Sequence, residues 1–314
     1  MNVVVTGQLA RDLVLLVDEM PETGTSADAR LRREVLGGKG ANQAVALAQL
    51  GARPVLVAVR GDDRVGEELI EQARRDGIDV GHVICRPGTE TGLIVEALDA
   101  SGGWRYLQHL PDGVLLTEAD VDAAAPALRS ADAVLVQLQQ PGPAALAAAR
   151  HARAGGALVV LDGELPEAER DELLKLADVI RADQHEAESL ADVSVEALGG
   201  TGIEALGGAG VKAGGRARTE ADGGARIEAG GPLLMLGRSD GNLIRWADGE
   251  ELIPLTDEKV VDTTGAGDAL TAALTVGLLR GMPPVEAGRF AVAAAGATVG
   301  HPGGRPDLSR LRRG

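Results

Sequence analysis

The chain of 314 residues has one cysteine, one phenylalanine, one tyrosine and two tryptophans. A lone Cys85 allows no intrachain disulfide and no multi-cysteine zinc site, and its ordinary place is that of a small buried hydrophobe. So few aromatics cannot build the stacking platforms that hold single-stranded nucleic acid. Positive charge is also short: 31 Lys and Arg against 47 Asp and Glu leave a net charge of −16, so a polyanion is repelled on average. Nucleic acid is therefore not an expected partner. The arginines near the end, Arg305, Arg310, Arg312 and Arg313, read as a solvated terminus. No apolar run approaches the roughly 20 residues that a membrane span needs. The opening MNVVVTGQLARD meets Arg11 and Asp12 before a secretory core forms. The expectation is a cytoplasmic protein with no membrane contact.

What is present is 45% hydrophobic and 25% charged sequence, enough for a sizeable core and read as one domain over 1–314. Short β-branched runs, Val3 to Thr6, Pro54 to Val59, Ala133 to Leu138 and Ala157 to Leu161, read as buried strands. Between and after them, Ala41 to Leu50, Val65 to Asp76, Pro143 to Ala154 and Glu167 to Leu176 read as helices. This order predicts an α/β fold with a mainly parallel sheet covered by helices on both faces. Leu13 to Val17, Leu31 to Val35, Gly92 to Leu98 and Trp104 to Gln108 fall outside the rhythm and predict a small separate sheet, placed as a lid. The glycine-rich stretch 195–231, with VEALGGTG followed directly by IEALGGAG, reads as a loose insertion. Beyond it, LLML, GRSDG and NLIRW read as strand, loop and strand. Ala266 to Arg280 and Pro284 to Val299 read as two long helices.

Two glycine clusters carry chemistry. In LGGKGANQA, Leu36 to Ala44, Gly38 and Gly40 admit a ligand close to the backbone, while Lys39 and Asn42 offer directional polar groups. It is neither a P-loop nor a dinucleotide fingerprint, because the hydroxyl after Gly-Lys and the third glycine are absent. In VVDTTGAGDAL, Val260 to Leu270, a strand is expected to run into Gly265, Ala266 and Gly267 with a helix starting at or near them, so that successive free amides at the positive end of the helix dipole make an anion hole. Asp268, one residue on, is placed to take a proton from a hydroxyl aimed at that hole. A helix cap above a tight turn is the bland reading of the same residues.

Together, GGKGANQAVALAQLGA at Gly37 to Ala52, DTTGAGDAL at Asp262 to Leu270 and GDDRVGE at Gly61 to Glu67 resemble the signatures of the ribokinase-type sugar kinases, the PfkB family. The resemblance covers nearly the whole chain apart from the glycine-rich insertion, and it implies a three-layer αβα sandwich with a β-sheet lid. It implies Asp268 as general base, with Gly265, Ala266 and Gly267 stabilising the transferring phosphoryl group of ATP. Asp12, Gly38, Lys39 and Asn42 would bind the sugar, and Gly237 and Gly241 would flank a loop near the nucleotide. Glu186 would serve magnesium. Asp262, Thr264, Thr298, His301, Gly303 and Asp307 would match a potassium site. A homodimer through the lid is also implied.

Several positions depart from that pattern. The family's Asn-x-x-Glu reads Asp183, Gln184, His185 and Glu186, with His185 taken as an exposed residue rather than a ligand. Ala10 and Gln139 stand where ribokinases carry an Asn and a Glu, which removes polar sugar contacts and puts ribose itself in question. GRSDG is one residue longer than the usual nucleotide loop. A kinase for another sugar or a nucleoside is the near alternative, with scarce aromatics arguing mildly against a nucleoside. A catalytically weak sugar sensor on the same fold is the alternative of another class, opposed by the intact GAGD.

Overall fold

A computed structural model describes residues 1–101, 103–187, 231–301, 305 and 307–313 of the chain. The first half alternates between core and lid. β1 (Asn2–Thr6) belongs to the central sheet, β2 (Ala10–Val17) and β3 (Ala29–Gly37) form a hairpin of the lid, and α1 (Lys39–Gln49) returns the chain to the core. β4 (Arg53–Gly61), α2 (Arg64–Arg75) and β5 (Asp79–Arg86) extend the central sheet, and β6 (Gly92–Leu98) and β7 (Trp104–His109) complete the lid. Then come α3 (Glu118–Ala123), α4 (Ala125–Ser130), β8 (Ala133–Gln137), α5 (Gly142–Gly155), β9 (Leu158–Asp162), α6 (Arg170–Leu176) and β10 (Val179–Ala182). After residue 230 the chain runs through β11 (Leu233–Arg238), β12 (Gly241–Trp246), β13 (Gly249–Ile253), α7 (Ala266–Leu279) and α8 (Pro284–Val299).

The nine strands of the central sheet lie in the order β13-β12-β11-β10-β9-β8-β1-β4-β5. All neighbours are parallel except the two pairs on either side of β12. Every residue of β8 and β9 is buried, as strands covered on both faces must be. One face carries α1, α2, α7 and α8 over a core containing Leu47, Leu69, Leu274 and Ala291. The other carries α3 to α6 over Leu128, Ala148, Leu161 and Leu173. The result is the expected three-layer sandwich, whose parallel strands deliver their C-terminal ends, including Asp162 and Arg181, to one edge.

The lid is a four-stranded sheet, β3-β2-β6-β7, with β2 and β6 parallel. It comes from the four segments expected, and β7 is exposed along its whole length.

The structure corrects the sequence reading at several places. The turn expected at GRSDG between two strands is present but tighter: Gly237 and Arg238 end β11, Gly241 opens β12, and Ser239 and Asp240 alone make a two-residue hairpin turn. The helix expected from Glu167 begins only at Arg170, and the strand expected to run into Gly265 is absent, since residues 254–265 form no strand between β13 and α7. β5, β10, β13, α3 and α4 were not anticipated; they are short or carry polar residues that blur an apolar period. Cys85 is exposed rather than buried, because β5 is the edge strand of its sheet. Arg305 is no part of a solvated tail: it donates to Leu36 O at 2.9 Å and to Asp76 at 2.7 Å, while Leu308 beside it is fully buried. The glycine-rich stretch lies, up to residue 230, outside the described residues.

Candidate active site

The site is assembled where the C-terminal ends of β9 and β10 meet the start of α7, under the lid. Gly265 caps α7 at φ 71°, a backbone conformation that favours glycine, and so turns the chain from Thr264 into the helix. The Ala266 amide is turned back to Thr263 O at 3.2 Å, a correction to the expectation that all three amides are free. Gly265 and Gly267 show no such backbone partner among the described residues. A Cβ on Gly267 would lie 2.6 Å from an Arg181 guanidinium nitrogen, so this glycine admits a partly buried cation against the positive end of the helix. Helix amides and guanidinium together form a cradle for an anion.

Asp268 is buried in the first turn of α7. Burial, and then the negative charge of Asp162, push its pKa from 3.8 up to about 7, against the pull of Lys39, Arg181 and the Asn42 side chain. Gln43, fully buried, donates from one amide nitrogen to Asp162 at 2.6 Å and to Asp268 at 3.3 Å. Asp162 also accepts from Arg181 at 3.1 Å and from the Thr271 hydroxyl at 3.2 Å. Gln43, Asp162, Arg181 and Thr271 were missed by the sequence analysis. A signal did exist: LVVLD and VIRA are buried strands that each end on, or are broken by, a charge, which a covered parallel sheet carries only for a reason.

The expected sugar-binding residues gather on the facing side. Gly38, at φ 83°, starts α1, whose Lys39 and Asn42 point toward Asp268. Asp12, on β2, is buried against Gly37, where a Cβ would lie 1.9 Å from its carboxyl carbon, and it takes the Gly38 amide. Its other oxygen, Oδ1, is buried without a hydrogen-bond partner. Burial, Glu96 and Asp268 raise Asp12 to about 7. Gln139 is exposed and, with Glu186, lines a cleft of about 370 Å³.

The nucleotide and metal candidates divide. Gly237 lies 3.1 Å, from its would-be Cβ, to the Gln184 amide and so packs β11 onto the Asp183–Gln184 turn. Gly241 is accounted for by β13, since a Cβ there would meet Ile253 O at 2.4 Å. Asp183 and Glu186 cap one another: Asp183 Oδ1 accepts from the His185 and Glu186 amides at 2.9 Å, and Glu186 Oε2 accepts from the Asp183 amide at 2.8 Å. Either Asn or Asp supplies that acceptor. Glu186 stands 3.5 Å from Lys39 and 3.8 Å from Arg181. His185 is exposed, as expected.

Asp262 is buried, with its carboxylate accepting from the Thr264 amide at 2.8 Å. The Val261 and Asp262 amides both donate to Val299 O, which lays this loop against the end of α8. Thr298, in the last turn of that helix, gives its hydroxyl to Ala294 O, and His301 contacts Ala297 O. Asp307 is turned onto Ser309 at 3.0 Å and is not brought to the loop by its side chain. Gly303 lies outside the described residues. No group of three acidic, histidine or cysteine side chains able to hold a metal occurs among the described residues.

The lid closes on the same loop. Glu96, buried on β6, accepts from the Tyr106 hydroxyl at 2.7 Å and from the Thr264 hydroxyl, and Tyr106 also contacts Thr264.

Residues 1–206 and 239–310 match the pfkB family carbohydrate kinase. The chain is 32% identical over 278 residues to the bifunctional ribokinase/ribose-5-phosphate isomerase A of Fructilactobacillus sanfranciscensis, covering 87% of this chain and 48% of that one. It thus spans about half the length of that relative. To the ribokinase of Haemophilus influenzae it is 28% identical over 304 residues, covering 97% of this chain and 94% of the other. Among solved structures, a putative ribokinase from Agrobacterium tumefaciens superposes with a TM-score of 0.77 over 99% of this chain and 96% of the other, at 20% identity.

Proposed function

The chain belongs to the pfkB family of carbohydrate kinases, and we propose that it transfers the γ-phosphoryl group of ATP to a primary hydroxyl of a pentose or similar sugar, ribose leading. One observation carries the reading: a buried carboxylate, Asp268, raised to about 7, stands in the first turn of a helix whose N-terminal amides and neighbouring Arg181 form an anion cradle. A base near neutral pKa is matched to deprotonating a hydroxyl at physiological pH.

In this reading Asp12, with its free buried oxygen, and Asn42 orient the sugar. Asp268 takes the hydroxyl proton, and the sugar oxygen attacks the γ-phosphorus as the bond to ADP breaks. Gly265, Gly267 and Arg181 meet the charge on the equatorial oxygens. Magnesium suits a site that offers one carboxylate, Glu186, and expects the rest of its ligands from phosphates and water; when bound it would neutralise the phosphates. Potassium beside Asp262 and Thr264 is part of the proposal, supported by the packing of Asp262 against the end of α8 and by the Thr264 amide held on its carboxylate. Trp104 and Leu107, exposed on β7, support a homodimer through the lid. The cytoplasmic location belongs to the same reading; no helix among the described residues is long and apolar enough to cross a membrane.

The test is ADP release from MgATP with pentoses, hexoses, nucleosides and sugar phosphates. Sugar-dependent release with at least one neutral sugar is expected. Its absence across the panel overturns the reading.

A further inference from the structure

Resting on the kinase reading, we propose that Asp162 is a positioning residue for the transfer: a second buried carboxylate that holds Asp268 through a shared amide and sets the strength of that base. Asp162 sits at the end of β9, 1% exposed, and is held from three elements. Gln43 of α1 donates to it at 2.6 Å, Arg181 of β10 at 3.1 Å and Thr271 of α7 at 3.2 Å. Three donors on one buried carboxylate fix its place. The same Gln43 nitrogen reaches Asp268 Oδ1 at 3.3 Å, so the two carboxylates are bridged by one neutral amide.

Gln43 is a donor that stays neutral, so it fixes the geometry without cancelling either charge. The repulsion between the acids is thereby kept, and in a site with little water it is strong. The groups that face Asp268 are Asp162 from β9, Arg181 from β10, Lys39 and Asn42 from α1, and Asp12 from the lid. After burial, Asp162 is the largest influence that raises its pKa. The sign follows: without the Asp162 charge, Asp268 ionises at lower pH and is a weaker base.

The experiment compares wild type with Asp162→Asn, which is nearly isosteric and keeps one oxygen to accept from Arg181 and Thr271, the oxygen that faces Gln43 becoming an amide nitrogen. In the pH profile of kcat/KM for the best sugar, the acid limb of wild type is expected near 7. In Asp162→Asn it should move down by roughly one pH unit, as loss of one nearby like charge requires. Arg181→Gln removes a favourable charge and should move the limb the other way. A structural role alone would lower thermal stability in both variants and leave the limb in place, and that outcome overturns the proposal. If either variant fails to fold, carboxyl-carbon NMR of wild-type protein carrying labelled aspartate decides instead. A carboxyl titrating near 7, lost in Asp268→Asn and sensed in wild type by the Asp162 carboxyl carbon, supports the proposal; a titration near 4, or one that the Asp162 carbon does not sense, overturns it. Absence of any sugar-dependent activity in wild type would instead strike the kinase reading.

Discussion

Replacing Asp268 by Asn should trade activity for stability in a way that depends on pH. In the folded protein the Asp268 pKa lies at about 7, against 3.8 for an ordinary aspartate, because the carboxylate is buried and faces Asp162. Between those two values the folded state holds a proton that the unfolded chain has lost. The stability of the wild type therefore falls as pH rises through this window and levels off above about 7. At about 1.4 kcal/mol per pKa unit, the gap between 3.8 and about 7 caps the penalty at roughly 4 kcal/mol. Asn keeps the shape and an oxygen for the Asn42 and Gln43 amides but carries no charge. Urea unfolding at pH 4 should find the two proteins alike. At pH 8 the variant should be the more stable by about 1 to 4 kcal/mol. Turnover should meanwhile fall roughly 100-fold or more, the usual size of a general-base effect, with the Michaelis constant for sugar little changed. A stability difference that does not vary with pH would refute the claim that a charge is buried there, and retained turnover would refute the base.

Two further outcomes follow from the same geometry. If Asp262 and Thr264 shape the anion cradle around a monovalent ion, replacing sodium with potassium should raise turnover, and Asp262→Ala should abolish the response; equal rates of wild type in both salts would remove the ion from the mechanism. Gln139 is exposed on the cleft it shares with Glu186, so Gln139→Glu should fold normally and lower the Michaelis constant for ribose by about tenfold, the value of one recovered hydroxyl acceptor; an unchanged constant for a good ribose substrate would show that the position does not touch the sugar.

The layered fold was legible because its periods are strong. β1, β4, β8 and β9 are apolar runs bounded by turns, and α7 and α8 begin and end within a residue of the expected bounds. The lid strands were legible for the opposite reason, as strand-like runs without a helix to cover them. Short elements such as β10, of four residues, offer too few positions for a period to register. The site divides in the same way. Gly265, Gly267 and Asp268 are contiguous, so a local motif reveals them. The brace around Asp162 joins residues 119 and 109 positions away in the chain, and only the packing of α1 and α7 on β9 brings them together. Arg305 was misjudged because a charge near a terminus looks solvated until its partners, Leu36 O and Asp76, are known.

The lid bears on the choice of acceptor. On the family resemblance, Ala10 and Gln139 stand at positions expected to carry polar contacts to the sugar, yet the lid brings other acceptors: Asp12 from β2 is buried facing Asp268, and Glu96 from β6 is buried facing Asp12. Glu96 is itself raised above the ordinary carboxylate range, chiefly by burial, and is tied to Tyr106 and Thr264. Asp12 thus stands between Asp268 and Glu96, with Lys39 the cation on the α1 side. A ligand entering such a space gains by donating hydrogen bonds, as a polyol does, and loses by bringing an anion of its own. A sugar that already carries a phosphate would place that charge among Asp12, Glu96 and Asp262, while the cationic cradle of Arg181 and α7 is taken by the nucleotide. On the proposed reading, therefore, the sugar phosphates of the panel should remain unmodified while neutral sugars are converted, and phosphorylation of a sugar phosphate in preference to its parent sugar would reverse this argument about the lid.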